Sequence, residues 1–204
     1  LIVGYDDSNN QIENKKEADA ITLITLKTNK NKLILKSIPS DLIFNQKSFE
    51  SKEIKNLMSD IENIVGLKPS YYFTLNYKGF KKIVNNLSGI ELRLDRAIEI
   101  PDLGLYLKKG NNLLSGKEAL NYVRWYENGN NYSRITRQYE IIEGVLDKIL
   151  QTNTFLDIPK LYSTLVDTFE AVETNLDKDL ATAIFKFLRN RKDIKIEHEI
   201  IKNK

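Results

Sequence analysis

Residues 20–38 read AITLITLKTNKNKLILKSI, and this stretch decides the fold. Its two halves, 20–27 and 32–38, are rich in β-branched residues, and the polar run 28–31 between them has turn chemistry. Pro39 ends the second half, because proline has no amide hydrogen to donate to a neighbouring strand. The stretch therefore predicts a β-hairpin.

Strands and helices alternate on both sides of this hairpin. Further strands are predicted at 1–5, 71–76, 90–94 and 194–200, the last with the alternation of an edge strand. Helices are predicted at 48–65, 77–87, 115–125, 133–150, 158–169 and 177–189, with a loop or small hairpin at 95–112. Ser115 and Glu118 match a capping box at the start of the helix 115–125. Alternating strands and helices indicate a sheet covered on both faces, and a hairpin within the series makes that sheet mixed. The predicted fold class is therefore α/β, a three-layer α/β/α sandwich with a mixed central sheet.

Composition narrows the class of protein. The 204 residues are predicted to form one domain, 1–204, and the net charge of +3 without a compact basic block argues against a nucleic-acid partner. The absence of cysteine excludes disulfides and cysteine-based metal or redox sites. The only histidine, His198, is interpreted as a partly buried structural residue of the last strand. The chain opens inside a predicted strand, so we expect an upstream segment that could hold a membrane anchor.

Carboxylates occur where predicted strands begin or end. Asp6 and Asp7 follow the first strand, and Asp19 precedes the second. Carboxylates at neighbouring strand ends could hold Mg²⁺, which prefers oxygen ligands and accompanies phosphate. Ser40 and Asp41 follow the third strand, where Asp41 could orient an arginine. The alternative is that all of these residues make ordinary turns, and on residue type alone that alternative is the better one.

A basic group lies around the junction of two predicted helices. Arg124 ends one helix, and Arg134 and Arg137 lie three residues apart on the next, with Gln138 beside them. Arginine forks suit phosphate oxygens, and the first turn of a helix also presents free amides to an anion. The alternative is a solvated helix face, but it leaves unexplained why arginine gathers here in a lysine-rich chain.

Taken in order, these groups resemble the motifs of the LytR-CpsA-Psr family. The segment 114–124, LSGKEALNYVR, is similar to the family pattern L-x-G-x-x-A-L-x-Y-x-R, and 134–138, RITRQ, resembles R-I-x-R-Q. The segment 37–41, SIPSD, resembles S-I-P-R-D, while 1–6 and 18–20 resemble L-L-G-x-D and S-D-T. The resemblance covers nearly the whole chain in the right order, which is more specific than any one motif.

The chain departs from the family pattern at four positions. Ser40 stands where the family has the arginine of S-I-P-R-D, and Phe44 at another basic position. Tyr126 replaces the second arginine of an R-x-R pair, and Asn131 replaces an aspartate before R-I-x-R-Q. The metal-binding acids of the pattern are therefore kept, while its arginines are fewer.

The resemblance implies an extracytoplasmic, membrane-anchored protein that acts on a polyprenyl-phosphate- or pyrophosphate-linked glycan. It implies a phosphotransferase that passes the glycan to peptidoglycan or another envelope acceptor, with Mg²⁺ held by Asp19 and by Asp6 or Asp7. The implied catalytic residues are Asp41, Arg124 and Arg134, and the implied substrate-binding residues are Arg124, Arg134, Arg137, Gln138 and Ser40. The thinned arginine set favours one alternative, a non-catalytic prenyl-phosphate or glycan binder. A purely structural envelope protein is a third possibility.

Overall fold

The structure, a computed structural model, describes residues 1–6, 17–39, 41–44, 54–126, 131–151, 172–190 and 194–202. Its strands are β1 (Ile2–Asp6), β2 (Glu17–Lys27), β3 (Lys32–Ser37), β4 (Phe73–Asn76), β5 (Ile90–Leu94), β6 (Ile98–Ile100), β7 (Leu105–Leu107), β8 (Gly110–Leu114), β9 (Val172–Thr174) and β10 (Lys195–Ile200). Its α-helices are α1 (Asp41–Phe44), α2 (Ile54–Val65), α3 (Tyr77–Asn86), α4 (Gly116–Arg124), α5 (Asn131–Gln151) and α6 (Lys178–Arg189).

Six strands form one mixed sheet in the order β10-β3-β2-β1-β4-β9. The predicted hairpin is confirmed, since β2 and β3 pair antiparallel around a 3₁₀ turn at Thr28–Lys30. Strand β1 pairs antiparallel with β2 and parallel with β4, and β10 pairs parallel with β3. Strand β10 lies at the sheet edge as predicted, but His198 on it is exposed rather than partly buried. An edge strand has neighbours on one side only, so its side chains meet more solvent.

Helix α2 closes one core against this sheet. Its buried residues Ile54, Leu57 and Ile61 recur at helical spacing and therefore share one face. They pack in one cluster with Ile38 and with apolar residues of the first two strands, among them Val3 and Ile21, which are almost fully buried. Burying such side chains contributes about 1.5–3 kcal/mol each, so this face holds the helix on the sheet.

A second core lies between two antiparallel pairs of strands and the helices α4 and α5. Strand β5 pairs with β8, β6 pairs with β7, and α4 and α5 pack against them. The predicted capping box is present at the start of α4: the Ser115 hydroxyl accepts from the Glu118 amide, and the Glu118 carboxylate accepts from the Ser115 amide at 2.8 Å. The next residue, Gly116, lies so close to α3 that a Cβ there would be 2.2 Å from the Lys81 carbonyl oxygen.

The chain divides into two compact units, Leu1–Tyr77 with Val166–Lys204, and Lys78–Leu165. The predicted α/β class with a mixed sheet is confirmed, while the single domain spanning 1–204 stays a prediction. Two short elements differ from the sequence prediction: β9 was not expected, and a helical turn, α1, begins where a simple turn was expected at Asp41. The helix predicted at 158–169 lies outside the described residues.

Candidate functional site

The predicted acidic residues lie at one edge of the six-stranded sheet, the edge formed by strand ends and not by an outermost strand. Strands β1, β3 and β4 all end at this edge, because β3 runs antiparallel to β2 and β4 runs parallel to β1. Strand β2, antiparallel to β1, begins there. Asp6 ends β1, Asp19 lies near the start of β2, and Asp41 opens α1 shortly after β3. The topology thus places all three positions at one edge of the sheet.

Asp19 occupies a β-bulge. In the pairing of β1 with β2, Gly4 lies opposite Ala20 but Tyr5 lies opposite Ala18, so Asp19 is the extra residue without a cross-strand partner. A bulge changes the direction in which a side chain points relative to a regular strand, and bulges are common beside active sites. The Tyr77 hydroxyl, from the residue directly after β4, donates a hydrogen bond to Asp19 Oδ2. The bulge and this hydrogen bond together set the position of the carboxylate.

The remaining residues of the predicted acidic site are described less fully. Asp7 and Ser40 lie outside the described residues, and of Asp41 only the backbone is described. Within the described ranges, no group of three or more His, Asp or Glu side chains is placed to hold a metal. A site built on Asp6 and Asp19 would therefore complete its oxygen ligands from Asp7, from water or from phosphate, which is how Mg²⁺ is commonly bound.

The junction of α4 and α5 carries the predicted basic residues in three different environments. Arg124, the last residue of α4, is exposed. Arg134 is partly buried in the first turn of α5, with Gln138 one turn further along. Arg137 is only 5% exposed. Arg124 and Arg134 are therefore at least partly accessible to a ligand, whereas Arg137 is almost inaccessible.

Arg137 is held by residues on both helices. Its Nη1 donates to the Trp125 carbonyl oxygen at 3.0 Å and to Ser133 Oγ at 3.5 Å. Its guanidinium lies over the Trp125 ring, with Cζ 4.0 Å from the ring centroid, and 5.8 Å from that of Tyr122. Both distances are within the range of cation–π attraction. The sequence predicted this arginine as a phosphate ligand, whereas the structure surrounds it with protein groups.

Arg134 stacks on Tyr126, one of the residues that departs from the family pattern. Its Cζ lies 4.5 Å from the centroid of the Tyr126 ring, which is itself 48% exposed. Arg134 Nε and Asn131 Oδ1 are buried atoms for which the described part of the chain offers no hydrogen-bond partner. A buried donor without a partner costs about 1–3 kcal/mol, so this first turn of α5 favours a polar ligand.

Next to this junction, Tyr122 and Glu140 form a partly buried hydrogen bond. The Tyr122 hydroxyl donates to Glu140 Oε2 at 2.6 Å, and Tyr122 is 3% exposed. Burial, together with the hydrogen bond to Glu140 and its negative charge, raises the pKa of Tyr122 well above the usual range for tyrosine. This phenol therefore stays neutral at any physiological pH and serves as a hydrogen-bond donor.

The sequence missed three residues that shape these sites. Tyr77, Trp125 and Glu140 all act through partners distant in sequence, although the position of Tyr77 directly after a strand was a usable signal. The acidic residues belong to the first compact unit and the arginines to the second.

These features define the class of protein. It is an α/β protein with a mixed sheet, an aspartate in a β-bulge at the edge where strands β1 and β3 end, and arginines at a helix junction. The chain belongs to the LytR_cpsA_psr family, whose model matches residues 1–204. The family resemblance found in the motifs is thereby confirmed. No helix within the described ranges is both long and apolar enough to cross a bilayer.

Two curated relatives illustrate the family. The chain is 27% identical over 207 residues to the polyisoprenyl-teichoic acid–peptidoglycan teichoic acid transferase TagU of Bacillus cereus. This match covers 95% of the chain and 64% of TagU. It is 27% identical over 154 residues to the regulatory protein MsrR of Staphylococcus aureus, covering 73% of this chain and 46% of MsrR. The chain thus spans less than two thirds of the length of either relative.

Solved structures share the fold. TagV of B. subtilis superposes with a TM-score of 0.79 at 22% identity, covering 100% of this chain and 84% of TagV. TagT, in a structure bound to the ligand LIIa-WTA, gives a TM-score of 0.73 at 20% identity, covering 98% of this chain and 76% of TagT. At these identities the likeness establishes the fold.

Proposed function

We propose that this chain is the catalytic domain of an envelope glycopolymer phosphotransferase. It would transfer a polyprenyl-phosphate- or pyrophosphate-linked glycan to peptidoglycan or another envelope acceptor. The observation that carries the proposal is the family match over residues 1–204, supported by a relative that is named a teichoic acid transferase. The protein would act outside the cytoplasm, tethered to the membrane by a segment upstream of Leu1.

The acidic edge of the sheet fits Mg²⁺. Asp19 and Asp6 supply hard oxygen ligands from neighbouring strands, and Asp7 is the third proposed ligand. Tyr77 takes Oδ2 of Asp19, so the other carboxylate oxygen is the proposed metal ligand. When bound, Mg²⁺ would neutralise charge on the phosphate oxygens, which is a major part of phosphoryl-transfer catalysis.

The arginines would bind the phosphates of the substrate. Arg124 is exposed at the end of α4, and Arg134 has an Nε without a hydrogen-bond partner among the described residues. Guanidinium groups bind phosphate oxygens with charge-assisted hydrogen bonds. Gln138 would extend this contact, and Asp41 would act by orienting an arginine.

A non-catalytic lipid or glycan binder is the second candidate. The observation that favours it is the loss of two family arginines, at Ser40 and Tyr126, together with the stacking of Tyr126 on Arg134. Binding needs an apolar pocket and a few anion contacts, whereas turnover needs contacts that strengthen in the transition state. Removing one well-placed donor can lower a rate by about 10²–10³-fold.

One experiment separates the candidates. Binding of a prenyl pyrophosphate is measured by calorimetry with and without Mg²⁺, and transfer of a lipid-linked glycan to peptidoglycan is measured in parallel. The enzyme proposal predicts both activities, and the binder proposal predicts binding alone. If neither activity is found, both proposals are wrong.

The metal assignment has its own variant. Asp19→Ala should abolish the gain in prenyl-pyrophosphate affinity that Mg²⁺ gives to the unaltered protein. Asp60→Ala removes an exposed carboxylate from α2 and should leave that gain unchanged. Equal Mg²⁺ dependence in Asp19→Ala and the unaltered protein would refute the assignment.

A further inference from the structure

We infer that Arg137 is a positioning residue, which ties the end of α4 to α5 and thereby sets the positions of Arg124 and Tyr126. The inference rests on the proposed function only in naming a phosphate ligand as the group that Arg124 meets. It replaces the sequence prediction that Arg137 itself clamps phosphate.

The burial of Arg137 argues against direct contact with substrate. At 5% exposure its side chain has little surface to offer a lipid phosphate, whereas Arg124, thirteen positions earlier in the chain, is exposed. A charge is buried only where protein groups compensate for lost hydration. The Trp125 carbonyl, Ser133 Oγ and the face of the Trp125 ring provide that compensation here.

The carbonyl that Arg137 binds lies just past the end of α4. Trp125 is the C-cap residue, with φ −63° and ψ 126°, and its amide still donates to the Asn121 carbonyl oxygen at 3.1 Å. Its own carbonyl can no longer join the helix and needs another donor. Arg137 supplies one, and a cation is also favourable at the negative end of the helix dipole.

Fixing Trp125 on both sides determines where its neighbours lie. Arg124 and Tyr126 are each joined to Trp125 by one planar peptide bond, so their Cα atoms stay about 3.8 Å away. Tyr126 in turn lies under Arg134, with 4.5 Å from Cζ to the ring centroid. One buried arginine therefore sets the position of the exposed arginine and of the aromatic surface on which the other arginine rests.

Arginine suits this position better than lysine does. The planar guanidinium can stack on an aromatic ring while its edge donates hydrogen bonds, but an ammonium group is a point charge that cannot do both in this geometry. A phosphate ligand would tolerate the change better, because lysine also binds phosphate as a point charge. Arg137→Lys therefore distinguishes a positioning role from a ligand role.

The first test needs no ligand. Trp125 is the only tryptophan of the chain, so the intrinsic fluorescence reports on this contact directly. Arg137→Lys should shift the emission of Trp125 to longer wavelength and increase its quenching by acrylamide. Arg93→Lys, the same change at an exposed position of β5, should alter neither. An unchanged emission in Arg137→Lys would overturn the inference.

The second test measures affinity for farnesyl pyrophosphate in detergent. Arg137→Lys should weaken binding about tenfold, equivalent to ~1.4 kcal/mol, together with the change in emission. Trp125→Phe keeps an aromatic face and the backbone carbonyl, so its affinity should stay within about twofold, or ~0.4 kcal/mol, of the unaltered protein. Lost affinity in Arg137→Lys with unchanged Trp125 emission would show direct phosphate contact and overturn the inference, as would lost affinity in Trp125→Phe.

Failure of the proposed function would look different. If the unaltered protein does not bind farnesyl pyrophosphate, the proposed function is wrong, and the ligand-free emission of Arg137→Lys still decides whether Arg137 holds Trp125.

Discussion

Gly116 should not tolerate even a methyl group. A Cβ built there would lie 2.2 Å from the carbonyl oxygen of Lys81 and 2.8 Å from its carbonyl carbon, far inside van der Waals contact. The obstacle is backbone of α3, so no side-chain rotation can relieve it and the two helices must separate. Separation would also strain the hydrogen bond of 2.8 Å from the Gly116 amide to Asn85 Oδ1.

The size of the effect follows from two opposing terms. Overpacking costs about 1–3 kcal/mol, and a clash with backbone belongs at the upper end of that range. Replacing glycine by alanine stabilises the folded protein by about 0.4–1 kcal/mol, because alanine has fewer conformations in the unfolded chain. The net loss expected for Gly116→Ala is thus about 2 kcal/mol. For a chain of this size it should lower the midpoint of thermal unfolding by roughly 4–8 °C.

Urea unfolding and thermal unfolding followed by circular dichroism measure this loss. The matched control is Gly4→Ala, because a Cβ on Gly4 would lie 3.6 Å from the Ala20 Cβ, which is ordinary contact. The control should change the free energy of unfolding by less than about 0.5 kcal/mol in the destabilising direction. If Gly116→Ala were as stable as the unaltered protein, the close approach of α3 and α4 described above would be wrong.

Three further predictions concern the candidate sites. Because the pKa of Tyr122 is raised in the folded protein, its stabilising contribution is complete below about pH 10, where free tyrosine ionises, and is lost as the pH rises further. Urea unfolding between pH 8 and 11 should therefore show that Tyr122→Phe loses stability less steeply with rising pH than the unaltered protein does. At neutral pH, Tyr122→Phe should lose about 1–3 kcal/mol of unfolding free energy, because Glu140 is left without its donor. Equal alkaline slopes in the two proteins would contradict this prediction. Tyr77→Phe should reduce the Mg²⁺-dependent gain in prenyl-pyrophosphate affinity measured by calorimetry, since Asp19 loses the donor that orients it, and an unaltered gain would count against that role. Ser40→Arg should raise glycan transfer more than lipid affinity when both are assayed together, and a fast unaltered protein slowed by this change would show a site rebuilt around serine.

Local patterns predicted much of the fold. The β-branched halves of the 20–38 hairpin and the capping box at Ser115 act between residues close in sequence, and both are present. Strand β9 was missed because its three residues, Val172–Thr174, carry no alternation of their own and become a strand by pairing with β4. Pairing of that kind depends on contacts distant in sequence, which propensity does not encode.

The candidate site was predicted by residue type but not by environment. Spacing placed Arg134 and Arg137 on one helix surface, yet it could not show that Arg137 faces Trp125 across the helix junction. The bulge at Asp19 depends on the register of two strands separated by a long connection, and His198 was expected to be partly buried because its apolar neighbours suggested a covered face. Register and edge exposure are properties of the assembled sheet.

The order of strands in the six-stranded sheet has a consequence for how the chain folds during synthesis. Both edge strands, β9 and β10, come from the last part of the chain, while the four inner strands come from Leu1–Tyr77. Lys78–Leu165, by contrast, is continuous in sequence and can close its own core first. Pairing between distant segments costs loop-closure entropy before any contact is gained, so we expect the sheet to form more slowly than the core within Lys78–Leu165. Until β9 and β10 have been made, β3 and β4 have no strand partner on their outer sides, and we expect the nascent chain to be most exposed to aggregation during that interval.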